Sequence, residues 1–302
     1  MDGILNINKP AGMTSHDVIA VIRRLSGQRK VGHSGTLDPA ATGVLPVFLG
    51  QATRVIEFLD DEVKIYRAGV MLGATTDTGD AAGNITSRRN YETVTAENIL
   101  AILPRFRGRI LQTPPMYSAL KHHGQPLYRL ARAGISVERE PREVIIHRLE
   151  MLGYHPPLLR LEIECSRGTY IRSLATDIGE ALGCGAYLEA LERTRSGIFD
   201  ISKAATLPDL AKAFTAGDID KFLHPLDSVL QSIPRIELNE EEADAIATGQ
   251  TITAVPGETG EKLRRRAYTS DGRLLAILTW RQEEGAWKPQ KVFYPYRERQ
   301  SS

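Results

Sequence analysis

The sequence predicts an α+β protein: a mixed, largely antiparallel sheet flanked by helices, followed by a small β-rich C-terminal domain. Three observations carry this expectation. Apolar and polar residues alternate with the period of a strand at Gly3–Asn8, Lys64–Leu72, Val144–Met151 and Leu158–Cys165. Segments with helical spacing and recognisable caps lie between them. Beyond a boundary near Gln231 to Pro234, the stretches Arg264–Thr269, Arg273–Trp280 and Lys288–Tyr294 read as hairpin strands. Residues 1–230 are assigned to one domain and 231–302 to the second.

The first strand is closed by Lys9-Pro10-Ala11-Gly12. Ser15 then reads as the N-cap of a helix with Val18, Ile22 and Leu25 on one face and Gly27 at its end. Val44–Leu49 is a short buried strand and Gln51–Leu59 a helical turn or two. The strand Lys64–Leu72 carries Tyr66 and runs into the polar, turn-rich Gly73–Asp80. Thr95 caps a helix reaching Leu103, with Pro104 just beyond it. The strands Val144–Met151 and Leu158–Cys165 form a pair around Gly153–Pro157. A helix follows to about Leu182, with Ile171, Leu174, Ala175 and Ile178 as its apolar stripe. Thr206–Val229 shows no clear pattern. Asn239 caps a later helix with Glu240, Glu241 and Glu242 in its first turn.

The stretch Val31–Leu45 stands apart. Gly32, Gly35 and Gly43 open backbone conformations closed to other residues, and Pro39 biases Asp38 away from helix. A tight loop results, presenting one carboxylate, the His33 imidazole and several hydroxyls. Residue types alone also admit a bland reading: Asp before Pro before small residues is what a helix N-cap looks like. Three glycines exceed what one cap needs, and His33 adds a second titratable group.

Two further features carry charge. Arg105 to Arg132 holds Arg105, Arg107, Arg109, Lys121, Arg129 and Arg132 with no Asp or Glu, and Phe106, Tyr117 and Tyr128 are interleaved. Basic groups can neutralise phosphates while aromatic faces stack on unpaired bases; the same residues could equally be a basic surface with its aromatics in the core. Arg172 lies off the apolar stripe near its helix start, where a cation opposes the helix dipole and wants an anionic partner.

Composition excludes several classes. With 42% hydrophobic and 25% charged residues the chain reads as an ordinary globular protein, and no apolar run approaches a membrane span. The N-terminus lacks the pattern of a secretory signal, so the cytoplasm is the expected compartment. Cys165 and Cys184 are the only cysteines, and no His/Cys cluster has ligand spacing, so neither a disulfide framework nor a metal site is expected. A P-loop and a dinucleotide fingerprint are also absent.

The loop G-H-S-G-T-L-D-P-A-A-T-G-V-L resembles the catalytic loop of the tRNA pseudouridine-55 synthases of the TruB type, whose aspartate is essential. The segments P-P-M-Y-S-A-L-K and C-S-R-G-T-Y-I-R resemble the same family, and the C-terminal region resembles its PUA-type RNA-binding module. The resemblance spans essentially the whole chain. It implies a pseudouridine synthase fold, an RNA-binding insertion at about 105–140, and isomerisation of uridine in the T loop of tRNA. Asp38 is then the nucleophile, attacking C1′ or C6; Arg172 keeps it ionised; Tyr66 stacks on the flipped uracil and Leu191 packs its other side. His33 fills the gap left in the RNA stack, with Asp80 helping to hold that arrangement. Gly32, Tyr170 and Lys121 are further residues assigned to substrate binding. An isomerisation needs no cofactor, and the T arm of tRNA is the expected partner of a monomer with no obligate protein partner and no membrane.

A non-catalytic RNA-binding protein or chaperone would use the same basic segment, but would not require Asp38, Arg172 and Tyr66 together. A synthase acting on another RNA would differ in the insertion. Every catalytic candidate precedes Arg195, while Arg264, Arg265 and Arg266 form a separate basic run, so the C-terminal domain is expected to add affinity rather than chemistry.

Overall fold

The computed structural model describes residues 1–59, 63–118, 120–122, 124–135, 137–253 and 264–294. Strand β1 (Gly3–Lys9) leads into α1 (Ser15–Ser26). The cap of α1 is Thr14, one residue earlier than expected: its hydroxyl accepts the Asp17 amide and the Asp17 carboxylate accepts the Thr14 amide. The Ser15 hydroxyl is engaged elsewhere, with Leu37. Strands β2 (Val31–His33) and β3 (Thr42–Leu49) pair antiparallel, so the glycine-rich stretch is a ribbon joined by the loop 34–41.

A 3-10 helix (Gly50–Phe58) precedes β4 (Lys64–Leu72). The expected polar loop after it contains a small ribbon, β5 (Ala74–Thr76) with β6 (Ile85–Arg88). Helix α2 (Ala96–Ile102) carries the expected Thr95 cap. Next come β7 (Gly108–Gln112), the hairpin β8 (Lys121–His122) and β9 (Gln125–Pro126), and α3 (Leu127–Arg132). The long pair β10 (Arg142–His155) and β11 (Leu158–Cys165) leads to α4 (Ile171–Ala181), β12 (Ala186–Ser196) and β13 (Phe199–Asp200). Helix α5 (Leu207–Ala216) occupies the stretch that shows no sequence pattern. Leu210 and Ala213 of it are buried and Leu207 and Phe214 pack half-buried against the same core, a stripe of four residues short enough to escape the sequence reading.

With β14 (Leu223–His224), the main sheet runs in the order β14-β1-β3-β12-β4-β11-β10-β7. Only the β3–β12 pair on this path is parallel, and it brings Gly43 beside Arg193 at the centre of the sheet. One face is covered by α1, α4 and α5 through Val18, Ile22, Leu174, Ile178 and Leu210. Because β7 pairs with β10, Arg105, Arg107 and Arg109 belong to the body of the fold, and the inserted segment begins only after Gln112. Arg107 donates to the Leu149 carbonyl and Arg109 pairs with Glu143, so part of the basic run is committed to the sheet edge.

A second sheet has the order β15-β17-β18-β19-β16, formed by β15 (Arg235–Glu237), β16 (Ile252–Thr253), β17 (Arg264–Tyr268), β18 (Leu274–Arg281) and β19 (Ala286–Val292), with α6 (Glu240–Ala247) packed on it. It does not stand off as an appendage. Ile233, Tyr268, Ile277 and Phe293 share one core with Ile4, Phe48, Val55 and Phe58 from the N-terminal region. The run Arg264 to Arg266 is also less available than its sequence suggests. Arg266 is buried and donates to the Ile233 carbonyl and the Tyr268 hydroxyl, while Arg264 lies over Phe58 and Arg265 over Trp287. No helix among the described residues is long and apolar enough to cross a membrane.

The shared core makes a specific demand. Phe293→Ala should cost about 3–5 kcal/mol, and truncation after Leu230 should lower the melting temperature of the remaining domain by exposing Phe48, Val55 and Phe58. A truncated chain that melts where the full chain does would show that this core adds nothing to the first domain.

Candidate active site

A cavity of about 420 Å³ opens between the loop 34–41, β4, β12 and the N-terminal end of α4. Asp38, Tyr66, Arg172, Leu191, Tyr170 and His33 all line it. Residues separated by well over a hundred positions are thus brought to one wall-to-wall space.

The loop that carries Asp38 is held on both flanks. The Leu37 amide donates to the Ser15 hydroxyl (2.9 Å), which in turn donates to the Leu37 carbonyl (3.2 Å). On the other flank the Pro39 carbonyl accepts from the Gly12 amide (2.9 Å) and the Lys9 ammonium (3.3 Å). Lys9 is buried and also donates to Pro10 and Met13 carbonyls; burial lowers its pKa to about 8 against the pull of Asp38. From β12, Arg193 reaches the carbonyls of Gly35 (2.9 Å) and Val44 (2.7 Å) and so brackets the loop. Gly43 has φ +101°, and a Cβ there would collide with the Arg193 backbone. Asp38 starts no helix. It begins a turn closed by the Ala41 amide on the Asp38 carbonyl (3.1 Å), with Pro39 at the second position. The capping reading of Asp38 is set aside by this geometry.

Arg172, the second residue of α4, is 6% exposed. Its Nε lies 3.1 Å from one Asp38 oxygen and its Nη2 3.5 Å from the other, a forked approach that lysine could not make. The remaining donors reach the Thr78 carbonyl (3.2 Å) and the Tyr117 carbonyl (2.7 Å), and Asp80 stands 3.6 Å away. The arginine opposes the helix dipole, as the sequence suggests, and two carboxylates answer it. Asp38 is nonetheless pushed above its ordinary pKa: burial outweighs the opposing Arg172, with Asp80 adding to the rise and Lys9 to the fall. Arg172 thus limits a rise imposed by desolvation.

Asp80 serves Arg172 and its own turn, accepting from the Thr78 hydroxyl (2.6 Å) and Ala82 amide (3.1 Å). It does not line the cavity. His33 ends β2, with burial as the main reason its pKa falls to about 4; the His16 ring meets it edge-on at 5.8 Å. A neutral, flat ring therefore faces the cavity at ordinary pH. Tyr66 is buried on β4, and Leu191 faces the same space from β12. Tyr170 is the N-cap residue of α4; its amide and carbonyl are both taken by the Gln112 side chain (2.7 and 3.0 Å). Gly32 pairs with Phe48 inside β2 and does not line the cavity, because the extended strand turns it toward Ile56 and Thr53. Lys121 lies in β8, and its side chain falls outside the described residues. Sequence reasoning missed Lys64 and Arg193, both buried in the cavity wall. The available signal was that Lys64 shares the strand face of Tyr66.

Comparison with known proteins is consistent along the whole chain. Residues 23–171 match the model of the TruB family pseudouridylate synthase N-terminal domain, and residues 172–231 match that of the tRNA pseudouridylate synthase B C-terminal domain. A tRNA pseudouridine synthase B from Dehalococcoides mccartyi is 47% identical over 97% of both chains. That of Azoarcus sp. (strain BH72) is 46% identical over 97% of this chain and 95% of its own. Among solved structures, a Cbf5-Nop10-Gar1 complex contains a chain that superposes with a TM-score of 0.75 at 30% identity, covering 97% of this chain and 85% of that one. With the matched segments, the full-length relatives and the fold in agreement, this chain belongs to the TruB family of pseudouridylate synthases.

Proposed function

We propose that this chain converts uridine to pseudouridine at position 55 in the T loop of tRNA, with Asp38 as nucleophile. The observation that carries the reading is the fork of the buried Arg172 on Asp38 at the wall of a cavity floored by Tyr66. A base inside folded RNA must be extruded to reach such a cavity. Tyr66 offers the ring face on which it stacks and Leu191 the opposing apolar surface. His33, neutral and flat, is suited to fill the place the base leaves. The Asp38 carboxylate attacks C1′ of the ribose or C6 of the uracil; in either route the C1′–N1 bond breaks, the ring turns, C5 takes the bond to C1′, the bond to Asp38 is released, and the C5 proton leaves as N1 takes one up. The substrates and products are isomers, so the balance closes without a cofactor. The full-length relatives named tRNA pseudouridine synthase B support tRNA as the substrate, on which we read the chain as acting as a cytoplasmic monomer. The segment after Gln112, tied to Arg172 through the Tyr117 carbonyl, is read as the part that closes on the T arm, and the second sheet as a PUA-like module.

Asp38→Asn tests the reading directly. The substitution keeps size and shape, so folding and RNA affinity should be near wild type while pseudouridine yield falls by at least about a thousandfold. Yield within tenfold of wild type, with reversion to Asp excluded by mass spectrometry, would end the nucleophile assignment.

Arg172 should show itself in the pH profile. Asp38 acts only when ionised and its folded-state pKa is raised, so the single-turnover rate rises with pH through that raised value and is lost as pH falls through it. In Arg172→Met the burial and Asp80 act without the opposing cation. The acid limb should then move to higher pH and the plateau rate drop about 10² to 10³-fold. Arg172→Lys should recover only part of this. An acid limb in the same place in Arg172→Met and wild type would remove the ion pair from the mechanism.

A further inference from the structure

The cavity holds more positive charge than pairing with Asp38 requires. Lys64, Arg167, Arg172 and Arg193 line it, against the single carboxylate of Asp38. Arg172 is committed to Asp38. Arg193 is different: it is 0% exposed, its Nε and Nη2 hold the loop carbonyls, and its Nη1 has no hydrogen-bond partner among the described residues. A buried guanidinium donor left unmatched is costly, which makes it a device for meeting an acceptor that arrives.

The sheet register says where that acceptor sits. Arg193 on β12 stands directly opposite Tyr66 on β4, and Leu191 opposite Ala68. Lys64 lies two residues before Tyr66 and so on the same face. Lys64 Nζ and Arg193 Nη1 converge on one point at Gly35, lying 2.6 and 3.2 Å from where a Cβ would stand; glycine leaves that point open. A ring stacked on Tyr66 therefore has Leu191 toward one side and two cations at its edge. A backbone phosphate stays with the strand at the cavity mouth, whereas these donors lie at its floor.

We propose that Arg193 and Lys64 form a subsite for the carbonyl edge of the uracil ring and stabilise the negative charge it bears once detached. This rests on the reading of the chain as a uridine isomerase. When the C1′–N1 bond breaks, its electron pair remains on N1 and the charge spreads onto the ring oxygens. It is discharged when C5 bonds C1′ and the temporary bond to the Asp38 carboxylate is released; the C5 proton then leaves to a base while N1 takes one up, so the product is an isomer of the substrate. Fixed cations in a water-poor site stabilise charge that develops only during the reaction. Arg193 thus has two tasks: one fork edge shapes the loop, and the remaining nitrogen meets the substrate.

The test compares T-arm stem-loops carrying uridine or 5-fluorouridine at the target, the fluorinated ring being the better leaving anion. Lys64→Met and Arg193→Lys are each assayed for single-turnover C1′–N1 cleavage at saturating RNA, with RNA affinity and thermal melting on the same preparations. Cleavage of the uridine substrate should slow about 10²-fold with affinity unchanged, and the defect should shrink at least about tenfold on 5-fluorouridine. An equal loss on both substrates, or none, overturns the subsite, since a merely structural defect does not sense the leaving group. A defect relieved by a methylphosphonate beside the target, and not by fluorine, would assign the cations to the strand backbone and also overturn it. Failure of the wild-type protein to form pseudouridine in the uridine stem-loop would instead strike at the isomerase reading itself.

Discussion

Arg172 is the point at which four separate stretches of the chain meet. Its guanidinium touches the Asp38 carboxylate from the loop 34–41, the Thr78 carbonyl and Asp80 from the turn after β5, and the Tyr117 carbonyl from the inserted segment. A buried cation demands that its donors be matched, and here the matching is what closes the cavity wall. Removing any one of these partners leaves the others holding an incompletely satisfied charge. The fold can be read as the scaffold this one side chain requires: α4 to carry it, β4 and β12 to supply the floor, and the loop to meet it from above.

The loop shows a complementary strategy. Asp38 is not placed by a helix or strand but by bonds to its neighbours, Leu37 through Ser15 and Pro39 through Gly12 and Lys9. Arg193 then spans from Gly35 to Val44. Holding the backbone on either side leaves the carboxylate free to face the cavity while denying the loop other conformations. A reactive group held in advance in this way spends little ordering entropy during the reaction.

Much of this was legible in the sequence. Period-two alternation found β1, β4, β10 and β11, and the stripe Ile171-Leu174-Ala175-Ile178 found α4 because each of those residues is buried. Asp38, Tyr66 and Arg172 stood out through the motifs that contain them, and the cavity unites them. Other features depend on distant geometry. Ser15 was mistaken for a cap because capping chemistry cannot distinguish adjacent hydroxyls; only the position of Leu37 does. The approach of Asp80 to Arg172 is not readable from either motif, because the two lie on different elements. Arg193 went unremarked, since nothing in a sequence marks a cation as fully enclosed. The net rise in the Asp38 pKa was likewise out of reach, because burial is a property of the assembled walls.

The bond from Arg172 to the Tyr117 carbonyl carries a consequence for how the inserted segment behaves. Withdrawing that carbonyl would leave a buried charged donor unmatched, at a cost of about 1–3 kcal/mol. The position of the segment and the state of the Asp38 pair are therefore thermodynamically linked. Linkage of this kind is reciprocal: whatever draws the segment inward strengthens the pair, and whatever strengthens the pair draws the segment inward. Under the proposed role of the segment, capture of an RNA and arming of the carboxylate are two faces of one equilibrium.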